Sequence, residues 1–203
     1  MTLERVTTIA LLVVLTTSSL AAQSTAGPFG RAWHTLRDPD APTWYGGIWK
    51  TWSGTFTQGD TSILVPVNTF HMRFAYPPED VARFTEWPLG VGIGRTRISA
   101  TTSRMVYALT MQDSFGRPEF ELGYIWLRNR YPGGGRNVYF GFGYTLNLLV
   151  RKQSNYWPFP LVLPIASVGY KRLSVGTTYV PGAFGTGNVF LTGAHLRVGG
   201  DGQ

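Results

Sequence analysis

The sequence contains no cysteine, so no disulfide holds the chain together in any compartment it enters. It also has little charge. Asp, Glu, Lys and Arg make up 14% of its 203 residues, against roughly 25% in soluble domains. Beyond the N-terminus it lacks any run approaching the roughly 20 apolar residues that a spanning helix needs. Together these absences exclude a disulfide scaffold and a bundle of membrane helices. The net charge is +7 and the pI about 9.9. Even so, no Lys/Arg cluster or nucleic-acid motif accompanies that charge, so no nucleic-acid partner is expected. A basic balance of this kind suits an anionic lipid surface.

What the chain does have is glycine and aromatic residues. There are 25 Gly, 7 Trp, 10 Tyr and 12 Phe. A charge-poor chain rich in both, with its apolarity spread over alternate residues, has the composition of a membrane β-barrel. On composition alone a soluble β-sandwich or barrel stays open.

Residues 1–26 read as a secretory signal peptide. Arg5 supplies the positive region, and IALLVVL at 9–15 is an apolar core too short to span a bilayer. Ala21, Ala22 and Ala26 are alternative last residues before cleavage. Residues 27–60 hold Trp33, Trp44, Trp49, Trp52 and Phe56 among polar residues. Trp49, Trp52 and Phe56 fall at i, i+3, i+7, which predicts a short amphipathic helix with Trp anchors at a membrane interface. Gly46, Gly47 and Gly54 weaken it.

From residue 61 to 198 period 2 dominates. Val138, Phe140, Phe142, Tyr144, Leu146 and Leu148 alternate with Tyr139, Gly141, Gly143, Thr145 and Asn147. Leu89, Val91 and Ile93 alternate with glycines, and Phe120, Leu122, Tyr124 and Trp126 form a third such set. The apolar set would face lipid and the small or polar set a narrow interior, in which glycine leaves room. The expected strands are 62–76, 88–98, 103–113, 118–128, 136–150, 161–170, 173–181 and 188–197. The fold class is therefore all-β: an eight-stranded antiparallel transmembrane barrel preceded by an amphipathic periplasmic helix, with 199–203 as a tail. A closed barrel has no free edge to pair, so a monomer is expected.

The chemistry centres on LVPVNTFHMRFAY at 64–76. As one strand it places Phe70, Met72, Phe74 and Tyr76 on one face, and Val67, Thr69, His71 and Arg73 on the other. If this strand rises to the outside, so does the third, whose outer end is Gln112-Asp113-Ser114. Topology thus brings His71, Asp113 and Ser114 to one rim. A histidine can take a proton from a hydroxyl, a carboxylate can orient it, and a serine hydroxyl can act as nucleophile or donor. Asp-Ser is equally a common turn pair. Pro66, Pro88, Pro164 and Pro181 fall in or at the ends of strand-like runs, and Pro cannot donate to a ladder. They mark either strand ends or two gaps in the wall through which lipid could enter sideways.

At HMRFAY (71–76), QDSF (112–115), LVLPIASVGY (161–170) and TYVPGAFGTGNVF (178–190) the chain resembles the PagP family of outer-membrane lipid A palmitoyltransferases. The resemblance covers roughly 49–197. It implies transfer of an acyl chain from a glycerophospholipid to lipid A in the Gram-negative outer membrane, with no metal or diffusible cofactor. It matches His71, Asp113 and Ser114 to the family's catalytic residues: His71 as base on the acceptor hydroxyl, Asp113 supporting it, and Ser114 assisting at the developing charge. It matches the four prolines to lateral lipid access. Ile125 departs from the pattern, standing where palmitate-specific members have glycine at the floor of the acyl pocket, and this predicts a donor chain shorter than palmitate. The ending VGGDGQ also departs from the family's terminal aromatic residue. Arg73, Arg117, Arg151 and Lys152 would lie near the outer rim, within reach of lipid A phosphates. The competing readings are a lipid A deacylase using the same residues on water, a non-catalytic lipid-binding barrel, and a soluble lipocalin-like binder.

Overall fold

The computed structural model describes residues 44–132, 135, 137–182 and 187–199. The signal segment, Trp33 and residues 200–203 lie outside the described residues. The chain divides into two compact units, Met1–Thr51 and Trp52–Gln203. Helix α1, Trp44–Gln58, crosses that division as one continuous element despite its three glycines. In its second half Trp52 and Phe56 are exposed and Thr55 is buried, so one stripe is aromatic and outward while the other packs. The helix ends where Gly59 N–H donates to Thr55 O at 3.0 Å. A Cβ at Gly59 would stand 2.5 Å from that oxygen and 3.0 Å from Thr96 N, so only glycine lets the helix end approach the wall so closely.

The second unit is a closed barrel in strand order β1 to β8, every neighbour antiparallel and β8 pairing back to β1. The strands are β1 Asp60–His71, β2 Gly90–Ile98, β3 Thr102–Gln112, β4 Pro118–Arg130, β5 Val138–Val150, β6 Phe159–Tyr170, β7 Leu173–Val180 and β8 Val189–Val198. Alternation explains the two surfaces. Val91, Ile93, Phe140, Phe142 and Leu146 stand exposed on the outside, while Leu64, Met105, Tyr107, Leu127 and Leu163 are buried. No described helix is long and apolar enough to cross a membrane. An exterior of this kind is instead covered by lipid around the strands.

Two expectations are corrected. The first strand ends at His71, not at residue 76. Met72 O accepts Ala75 N–H at 2.9 Å, closing a turn that takes Phe74 and Tyr76 off the strand. The facing of β1 also changes midway, because its register with β8 shifts between Pro66 and Asn68. Ser62 and Leu64 are buried below the bulge, Thr69 and His71 above it, and Val67 is exposed. The extra residue reverses the parity of everything that follows, so Val67 faces out although it shares its parity with His71.

The interior glycines are a third difference. Their space is largely occupied. A Cβ at Gly123 would meet the Tyr107 ring at 2.3 Å, and one at Gly169 the Tyr139 ring at 2.2 Å. These glycines are seats for tyrosines reaching over from a neighbouring strand. Gly123→Ala is expected to destabilise the barrel by about 1–3 kcal/mol through overpacking. Its guanidinium unfolding midpoint in detergent should fall, while Gly135→Ala, with nothing within 4 Å of the added carbon, should not move it.

The ladders have unequal lengths. β3–β4 carries eleven register pairs and β5–β6 twelve, but β1–β2 carries five, ending at Leu64↔Gly92. β6–β7 carries six, ending at Ile165↔Thr178. Above those points β1 pairs only with β8, and β6 only with β5. Pro66 and Pro88 flank the first interruption, Pro164 and Pro181 the second. Pro66 and Pro164 have no N–H with which to continue the missing rungs.

Candidate active site

His71 is the last residue of β1 and is 3% exposed. Its Nε2 lies 3.0 Å from Ser114 Oγ, so the two residues expected at one rim do meet there. Two aromatic rings pack against the imidazole. Phe84 stacks on it at 4.1 Å and 23°, and Tyr76 meets it edge-on at 5.5 Å. Tyr76 can do this because the turn after β1 folds it back, where its hydroxyl bonds the backbone of Gly187.

Asp113 is adjacent to Ser114 in sequence but serves the turn. Its Oδ1 accepts the N–H groups of Phe115 and Arg117, each at 2.8 Å, an Asx-type arrangement that sets the direction of Ser114. It makes no ion pair with His71 among the described residues. The carboxylate that does face the imidazole is Glu86, whose Oε1 lies 3.5 Å from His71 Nδ1. The strap carrying Glu86 lies along the upper part of β1 where β2 is missing. Its carbonyl accepts Thr69 N–H at 2.8 Å and Asn68 Nδ2 at 3.0 Å. Arg73 holds the carboxylate with two hydrogen bonds, 2.7 and 2.8 Å. Those bonds keep the Glu86 carboxyl below its usual range, so it is ionised at neutral pH. Sequence reasoning missed Glu86: it sits in a loop, 15 residues from His71, and no period marks a loop residue. The only local hint is a lone acid between aromatic residues, FTEWP.

Of the cationic residues expected at the rim, Arg73 is engaged by Glu86 and Arg151 lies 3.6 Å from the buried Glu119. Arg117 and Lys152 are exposed, Arg117 over the Phe115 ring.

Beneath His71 and Ser114 is a cavity of about 180 Å³, lined also by Leu161, Leu163 and Leu191. A second cavity of about 150 Å³ lies deeper, lined by Leu64, Met105, Leu109, Ile125 and Leu127 among others. Glu121 and Asn147 line both. There the Tyr107 hydroxyl bonds Glu121 and Asn147, and Thr145 bonds Asn147. Ile125 packs against the cluster of Leu64, Met105 and Tyr107. At the far end Ser62, Thr96, His195 and Ser174 form a polar chain at 2.8, 3.1 and 3.0 Å.

A small membrane β-barrel with a histidine–serine centre above an interior cavity is the class that this fold and site define. Within that class the chain belongs to the PagP family: the family profile "Antimicrobial peptide resistance and lipid A acylation protein PagP" matches residues 51–195. Proteins named "Lipid A acyltransferase PagP" are among its relatives. That of Enterobacter lignolyticus is 34% identical, over 86% of each chain. That of Sodalis glossinidius is 34% identical over 86% of this chain and 93% of its own. That of Cronobacter turicensis is 38% identical over 66% and 71%.

Proposed function

We propose that the protein is an outer-membrane lipid A acyltransferase that takes its acyl chain from a glycerophospholipid. The observation that carries this is the 3.0 Å pairing of His71 Nε2 with Ser114 Oγ above a cavity lined in part by Leu161, Leu163 and Leu191, in a chain of the PagP family. The acceptor hydroxyl of lipid A takes the place of the Ser114 hydroxyl at Nε2. As its oxygen attacks the donor ester carbonyl, its proton passes to His71. The tetrahedral oxyanion is met by the Ser114 hydroxyl, which Asp113 aims by building the turn. Collapse breaks the bond to the glycerol oxygen, which takes the proton from His71 and leaves as a lysophospholipid.

The two short ladders support lipid entry from the side, at Pro66 and Pro88 and at Pro164 and Pro181. A chain's tail would thread downward to Ile125. Gly123 and Gly141 do not reopen space beside it, because Tyr107 fills the first, and Asn129 and Leu127 stand 3.0–3.3 Å from a Cβ at the second. Beyond it the polar chain around His195 is a poor neighbour for methylenes. This supports a donor chain shorter than palmitate.

A deacylase is the second reading, since the same histidine–serine hydrogen bond would activate serine or water for hydrolysis. Mass spectrometry of lipid A from Gram-negative cells with and without the protein separates the two. A gain of one acyl chain is expected. Loss of one would establish the hydrolase, and an unchanged mass would leave a lipid-binding barrel.

A further inference from the structure

We infer that Glu86 is the positioning residue of His71, fixing its tautomer and steadying its cation during proton transfer. The inference deepens the acyl-transfer reading and rests on it for its kinetic consequences. It begins from an orphan atom: His71 Nδ1 is buried without a hydrogen-bond partner. With Nε2 turned to accept from Ser114, the ring proton of neutral histidine must sit on Nδ1. A buried N–H needs an acceptor, and Glu86 Oε1, at 3.5 Å, makes the only ion-pair contact to that ring among the described residues. Such contacts are often long in a resting enzyme and tighten in the reacting complex.

Glu86 is suited to the task because it is fixed to the strand it serves. The same Oε1 accepts the His71 backbone N–H at 3.2 Å, the strap carbonyl is bonded to Thr69 and Asn68, and Arg73 grips both oxygens. Phe84 and Tyr76 fix the ring between them, leaving its two nitrogens to point at Ser114 and Glu86. Asp113 makes no ion pair with His71 among the described residues; its Oδ1 holds two backbone amides and its Oδ2 is buried without a hydrogen-bond partner. When His71 accepts a proton, the positive charge forms beside an ionised carboxylate whose own charge is moderated by Arg73. The other charged or titratable groups around the upper cavity are Tyr76, Asp113, Glu121 and the Glu119–Arg151 pair.

The test uses the full barrel in detergent micelles with a defined phospholipid donor and lipid A. Glu86→Gln keeps an oxygen for the His71 backbone and Arg73 but removes the charge. It is expected to lower kcat about 10²-fold with KM for donor unchanged. The acid limb of the rate profile should move to lower pH, because a neutral amide no longer favours the imidazolium. Glu86→Asp should recover part of the rate. An unmoved acid limb, or a Gln variant as active as wild type, would overturn the inference. NMR titration of the His71 ring provides a readout independent of turnover: its midpoint should fall in Glu86→Gln, and an unchanged midpoint counts against the role. If wild type adds no acyl chain, the acyl-transfer reading fails by itself, and the NMR midpoint still decides the role of Glu86.

Discussion

Lipid A from cells expressing His71→Ala is expected to keep its unmodified mass, with the barrel still folded and in the membrane. The substitution removes the group proposed to take the acceptor proton. General-base catalysis contributes about 10²–10⁴-fold, and the loss should sit at the upper end because the carboxylate beside the ring, Glu86, is held by Arg73 and faces Nδ1, not the Nε2 at which the acceptor proton arrives. Stability should change less than activity, since the histidine's main neighbours, Phe84 and Tyr76, remain stacked edge to face at 5.2 Å. Ser114→Ala should cost about 10²–10³-fold, the cost of one missing donor to an oxyanion. A Ser114→Ala variant that keeps full activity would remove the serine from the mechanism. A mass adduct of one acyl chain on Ser114 would convert the direct transfer into a two-step one. An active His71→Ala variant would end the proposed chemistry altogether.

The second large effect is expected from Ile125→Gly, which should lengthen the transferred chain. Ile125 packs on Leu64, Met105 and Tyr107 and lines the deeper cavity. Removing its side chain frees roughly four carbons' worth of space, and each buried methylene is worth about 0.8 kcal/mol. A change of two or three methylenes would therefore alter selectivity by ~10–100-fold. The measurement is lipid A mass spectrometry after supplying donors of graded chain length to wild type and variant. Wild type should add a chain shorter than palmitoyl, and the variant a longer one. A palmitoyl gain by wild type would discard the short pocket while leaving the transferase intact. An unchanged length in Ile125→Gly would place the limit elsewhere, with the Tyr107–Glu121–Asn147 belt the first place to look. The variant also leaves a cavity costing about 2–5 kcal/mol when empty, so its folding should be checked by unfolding in detergent.

Much of this architecture is legible in the sequence because a strand's two faces repeat every second residue. The runs at 138–148 and 89–94 mark the lipid-facing wall from local information alone, and strand number and direction follow from counting such runs. The same reasoning places His71 and Asp113-Ser114 at one rim, since up-and-down topology sends alternate strand ends to the same side. Tertiary structure alone decided the rest. A bulge at Pro66–Asn68 turned Val67 outward, because register is set by pairing with β8 and not by the run itself. A turn after His71 brought Tyr76 back onto the ring. The glycines expected to leave room were filled by Tyr107 and Tyr139 from the next strand, a contact that exists only once the strands are side by side. Most consequentially, the carboxylate facing the histidine proved to be Glu86 and not the one beside the serine. Loop residues have no period, and Glu86 reaches His71 only because β1 and β2 stop pairing at Leu64, leaving donors on Asn68 and Thr69 for its strap to satisfy.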